Sequence, residues 1–149
     1  MGELVHDVVV FLSRNLEYCS YGQTALFMTD DFDELEQKYN QASISERSKF
    51  KAETLSNVGG RVLTSSLKES GSDVGLDKWL CITLIMAIEA SVKLPKIRSL
   101  TDLQQSLSLL GSLPPDVIVA VELLWTPQEA GDSYSKDELL RDYPKLANL

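Results

Sequence analysis

Nucleophilic catalysis through a serine or cysteine needs a base, and the chain offers one histidine, His6. His6 sits beside the apolar stripe of an amphipathic segment, with Asp7 next in sequence but turned elsewhere on a helix, which reads as a partly exposed helical residue. No serine stands in a GxSxG context, and Cys19 and Cys81 are far apart with no CxxC spacing, so neither a triad, a zinc knuckle nor a disulfide framework is indicated. Both cysteines read as buried, unbonded thiols in strands. Asp30, Asp31, Asp33, Glu34 and Glu36 have the density of a cation site, yet a calcium loop counted from Asp31 would need glycine where Glu36 stands. Negative charge at the start of a helix explains them. Neither GxGxxG nor GxxxxGKS/T occurs, and Gly59-Gly60 alone does not make a phosphate cradle. No cofactor is indicated. Basic residues concentrate at Arg47, Lys49 and Lys51 and at Lys93, Lys96 and Arg98, either as solvated charges or as a docking patch for an acidic partner or a lipid headgroup. Glu89, Glu122 and Tyr21 are the polar groups that a ligand site on a sheet face would use, the alternative to a binding domain without chemistry.

The elements that must position these residues follow from periodicity. Leu4, Val5, Val8, Val9 and Leu12 mark one face of a helix over 3–17, and the β-branched and aromatic content of Tyr18–Thr29 predicts a strand. A helix carrying Phe32, Leu35 and Tyr39 follows the acidic run. Ser43 with Glu46 has capping-box spacing and predicts a further helix through Phe50 toward Leu55, ended by Gly59-Gly60. Arg61–Ser66 is compatible with a strand or a continued helix, and Ser65–Asp77 reads as an exposed flexible connection. Trp79–Glu89 is apolar on both faces, as a covered strand would be. Thr101 with Gln104 predicts the cap of a helix bearing Leu100, Leu103, Leu107 and Leu110, stopped by Gly111 and Pro114-Pro115. A strand over 117–126 closes at Pro127, and Ser135 with Glu138 caps a last helix that ends at Tyr143-Pro144. The order predicts an α+β fold: an antiparallel sheet with helices, a ferredoxin-like βαββαβ core with additional N- and C-terminal helices.

A chain of 149 residues, with 44% hydrophobic and 24% charged side chains, has the composition of one folded domain spanning 1–149. The 22 acidic against 14 basic residues leave a formal charge of −8, which repels phosphate backbones, so nucleic acid is not an expected partner. No apolar run approaches the ~20 residues of a membrane span.

Three stretches carry a resemblance: Ser45–Val58 (SERSKFKAETLSNV), Lys93–Gly111 (KLPKIRSLTDLQQSLSLLG) and Val121–Leu146 (VELLWTPQEAGDSYSKDELLRDYPKL). In the combination ERSKF, LWTPQ and DELLRDYP the chain resembles a family of cyanobacterial and plastid proteins known as a domain of unknown function, number fifteen-seventeen. That resemblance implies association with photosynthetic membranes, a link to proton homeostasis and the control of non-photochemical quenching, and no established enzymatic activity. It also implies a longer parent protein with its membrane tether upstream. The expectation is therefore a non-enzymatic regulatory or adaptor domain at a thylakoid or envelope membrane, engaging a plastid or cyanobacterial membrane protein. The candidate contact residues are Glu46, Arg47, Lys49, Phe50, Trp125, Thr126, Pro127 and Gln128.

Overall fold

The structure, a computed structural model, describes residues 2–49, 79–127 and 134–149. In chain order the elements are α1 (Gly2–Arg14), β1 (Tyr21–Gly22), α2 (32–49), β2 (Cys81–Ile88), α3 (Leu100–Gly111), β3 (Ile118–Thr126), α4 (Lys136–Asp142) and β4 (Ala147–Asn148). Short 3-10 turns lie at Leu16–Tyr18 and Pro115–Val117. The expected helix end at Gly59-Gly60, the segment Arg61–Ser66 and the connection Ser65–Asp77 fall outside the described residues, as do the candidates Phe50 and Gln128.

The fold is α+β with small antiparallel sheets. A βαββαβ core would place four strands in one sheet, whereas the described strands form two separate pairs, β1 with β4 and β2 with β3. β1 runs antiparallel to β4 with Tyr21 opposite Asn148 and Gly22 opposite Ala147, and no strand continues beyond Gly22 over the predicted stretch to Thr29. Strand-like composition there lacks a ladder partner, and a strand is defined by its partner. The Glu89 N–H donates to the Val117 carbonyl at 2.8 Å, tying the end of β2 to the start of β3.

The chain divides into two compact units, Met1–Tyr39 with Ile85–Glu122 and Lys145–Leu149, and Asn40–Leu84 with Leu123–Pro144. In the first, Val5 and Val8 of α1, Ala87, Val92, Ile97, Leu107 and Ile118 are buried. α1 packs on α3 closely enough that a Cβ on Gly111 would meet Val9 Cγ1 at 3.1 Å. In the second, Leu124, Tyr134, Leu139 and Tyr143 form the buried set.

Helix boundaries follow their caps. α2 opens at Asp31, whose Oδ1 accepts from the Asp33 N–H at 2.9 Å, while Thr29 Oγ1 accepts from the Asp31 N–H at 3.1 Å and donates to Glu34 Oε2 at 2.8 Å. The acidic run is thus a helix start. Ser43 does not cap a new helix, because α2 passes through it without a break and its Oγ accepts from Arg47 Nε at 3.2 Å. Glycine and proline, the residues that would interrupt α2, are absent between Tyr39 and Ser43. α3 is capped two residues earlier than the Thr101 spacing suggests: Ser99 Oγ accepts from the Asp102 N–H at 3.4 Å, and Asp102 Oδ2 accepts from the Ser99 N–H at 3.2 Å. α4 begins as expected, with Ser135 Oγ accepting from the Glu138 N–H at 3.1 Å.

Candidate functional site

Two of the conspicuous motifs meet in the second unit. Glu46 and Lys49 stand one turn apart on α2, a spacing that puts both on one helical face, and Lys49 Nζ lies 3.0 Å from Glu46 Oε1. The same ammonium sits 4.0 Å from the centroid of the Tyr143 ring, a cation–π contact between the ERSKF and DELLRDYP stretches. Tyr143 is fixed where α4 ends, its N–H donating to the Leu139 carbonyl at 2.8 Å, and is 8% exposed. Its hydroxyl is close to Glu46 and to Cys81 and Thr83 at the start of β2.

Glu46 Oε2 and Tyr143 Oη are buried and have no hydrogen-bond partner among the described residues. Burial pushes the Tyr143 phenol far above its ordinary range, with the neighbouring Cys81 and Glu46 adding to the rise. Burial likewise pushes the Cys81 thiol up, with the nearby polar side chains of Tyr143 and Thr83 opposing the rise. A thiol held protonated is a poor nucleophile, and a phenol held protonated is a poor base. The cluster is a polar joint between α2, the start of β2 and the end of α4. Around it, the Trp79 N–H donates to the Tyr134 carbonyl at 3.0 Å, and the deeply buried Tyr134 donates its hydroxyl to Asp142 Oδ2 at 2.7 Å.

The outward side of this unit carries the rest of the candidates. Arg47 is exposed on α2, as is Ile44 one turn earlier at 68%. On β3, Leu124 and Thr126 are buried while Trp125 is 44% exposed, and Thr126 joins Pro127 through a cis peptide bond. The six of the eight predicted residues that the structure describes therefore have different parts: Glu46, Lys49 and Thr126 face inward, Arg47 and Trp125 face outward, and Pro127 is half-buried. Of the basic run Arg47, Lys49 and Lys51, Lys49 pairs with Glu46 and Tyr143, Arg47 is exposed, and Lys51 lies outside the described residues. Cys81, Thr83 and Tyr143 were not expected to join Glu46. The signal available was Tyr143 inside DELLRDYP, a motif singled out for its sequence rather than for its neighbours.

The other sequence candidates lie in the first unit. His6 opens with Asp7, Gly2, Glu3 and Pro115 onto a surface hollow at the start of α1. Glu89 is exposed at the end of β2, and Glu122 and Tyr21 are half-buried, each with interactions of its own. Lys93, Lys96 and Arg98 are exposed before α3. Cys19 follows a 3-10 turn rather than standing in a strand, its Sγ 3.7 Å from the Asn15 carbonyl, and both cysteines are free. Among the described residues, no group of His, Cys, Asp and Glu is placed to hold a metal ion, and no helix is long and apolar enough to cross a membrane.

The fold is α+β, and its second unit carries a part-buried Glu–Lys–Tyr joint. The chain belongs to the family described as protein of unknown function DUF1517, which it matches over residues 1–149. It is 39% identical over 143 residues to the chloroplastic FLUCTUATING-LIGHT-ACCLIMATION protein 1 of Arabidopsis thaliana, covering 96% of this chain and 36% of that protein. It is 34% identical over 151 residues to Protein FLAP1 homolog A of Synechocystis, covering 96% of this chain and 45% of that protein. The chain thus spans less than half the length of either relative, and the relatives place the family in chloroplasts and cyanobacteria. No solved structure is significantly similar to it.

Proposed function

We propose that this chain is a regulatory docking domain that acts in the acclimation of photosynthesis to changing light, engaging a plastid or cyanobacterial membrane protein rather than transforming a substrate. The observation that carries this reading is the near-complete alignment with a fluctuating-light-acclimation protein at 39% identity. The geometry supports docking over catalysis because burial holds the Cys81 thiol and the Tyr143 phenol protonated, while Arg47 and Trp125 are presented outward from α2 and β3. Arginine and tryptophan are residue types that interfaces favour.

The test is complementation of a strain lacking its family protein with the full-length protein carrying Arg47→Glu and Trp125→Ala. The wild-type protein should restore growth under alternating light, and the variant should accumulate to the same level without restoring it. Affinity purification from detergent-solubilised membranes should recover a membrane protein with the wild type and lose that same protein with the variant. Full rescue by the variant would sink the docking surface assigned here.

A further inference from the structure

Between β1 and α2 runs a segment with strand-like side chains and no strand to pair with. Residues 23–29 pass without helix, turn or bend, and Leu26, Phe27 and Met28 are 50%, 46% and 62% exposed. The backbone N–H and C=O groups of Ala25, Leu26, Phe27 and Met28 make no hydrogen bond among the described residues. Yet the segment is held at both ends. Upstream, β1 is paired with β4 and Thr24 Oγ1 donates to the Pro95 carbonyl at 2.9 Å; downstream, Thr29 is tied into the start of α2, and the Lys38 ammonium of α2 sits 4.8 Å from the Phe27 ring centroid.

A run anchored at both ends, open along its backbone and apolar on both faces is a site for strand addition: main-chain bonds give affinity, and alternate side chains give selectivity. We propose that residues 25–28 accept an extended peptide segment of alternating apolar and basic residues as an added strand. The apolar requirement comes from Leu26, Phe27 and Met28. The basic requirement comes from Asp30, Asp31 and Asp33, all exposed immediately downstream, on a chain of formal charge −8. The same charge disfavours a second copy of this chain as the occupant. This site lies in the first unit and is independent of the docking surface assigned to Arg47 and Trp125.

The probe is a blocked peptide of sequence KVKVKVK, titrated into the 149-residue chain with binding read by fluorescence anisotropy and by amide exchange. Alternate amides of an extended run point to opposite sides, so of the paired substitutions Ala25→Pro with Phe27→Pro and Leu26→Pro with Met28→Pro, one pair removes the donors on the open edge. That pair should weaken peptide binding by about tenfold or more, the other pair much less. Because the replaced amides carry no internal bond, both variants should stay folded, the pair with Phe27→Pro melting slightly lower for loss of the Lys38 contact. In the wild-type complex the amides on the open edge of 25–28 should gain protection, raised salt should weaken binding, and EVEVEVE should not bind. The proposal is overturned if KVKVKVK does not bind, if EVEVEVE binds as well, if neither proline pair weakens binding, if no amide of 25–28 gains protection, or if these amides instead pair two copies of the chain.

Discussion

Arg47 and Lys49 are two residues apart and carry the same charge, and the structure gives them opposite tasks. Arg47 faces outward, so Arg47→Glu should shift the melting temperature little. Lys49→Glu should destabilise the chain by about 2 kcal/mol or more, because it sets a second carboxylate beside Glu46 and removes the cation from the Tyr143 ring. Urea denaturation of the two variants side by side would separate these outcomes, and equal stability would refute the joint. Tyr143 makes a further prediction. Its hydroxyl is buried without a partner among the described residues, so Tyr143→Phe should leave stability unchanged or raise it by up to ~1 kcal/mol. Both Cys81 and Tyr143 have raised folded-state values, so the folded chain holds their protons more tightly than the unfolded chain does. Their contribution is fully present below the ordinary thiol and phenol values of 9.0 and 10.0, and it drains away as pH climbs through the raised ones. Stability should therefore fall on the alkaline side, and a Cys81→Ala, Tyr143→Phe variant should show a shallower fall in denaturation midpoints measured across that range.

Caps decide where the elements begin, and they also show where sequence reading reaches its limit. Ser135 with Glu138 was legible because the capping spacing coincides with the first apolar turn of α4. At α3 the Thr101–Gln104 spacing pointed two residues too far along the chain. Ser99 wins because its backbone is extended, at φ −149 and ψ 169, and Asp102 closes the box from inside the helix. Ser99→Ala should cost about 1 kcal/mol and Thr101→Ala much less, a difference that thermal melts of the two variants would show. The β2 and β3 strands were legible from their apolar runs, since each is long enough to make its own pattern. β4 was not, because Ala147–Asn148 has no pattern of its own and exists as a strand only through pairing with Tyr21–Gly22. The same reasoning explains the over-long strand predicted to Thr29: side-chain type announces willingness to pair, and pairing is a property of the neighbour. Of the candidate site, the residues were legible and their directions were not, since Glu46, Arg47 and Lys49 diverge only once α2 is known to run unbroken from 32 to 49.

At the scale of the whole chain, charge governs encounter. Salt screens the field of a molecule of formal charge −8, so its association rate with a charged partner surface should change as salt rises. Stopped-flow association rates at increasing ionic strength, measured with the membrane protein recovered by purification, would check this, and a rate that does not change with salt would argue against steering. Apolar contact at Trp125 would instead show in the dissociation rate, where interface substitutions usually act. The chain contains two tryptophans, and they differ in setting: Trp79 is half-buried and Trp125 is 44% exposed. Replacing Trp79 with phenylalanine would leave a single tryptophan, excitable at wavelengths that tyrosine does not absorb, at the proposed point of contact. Its emission should move to shorter wavelength, and its quenching by iodide should diminish, when a partner covers it. The surface assigned to docking thus carries its own optical reporter, readable without a dye or a tag.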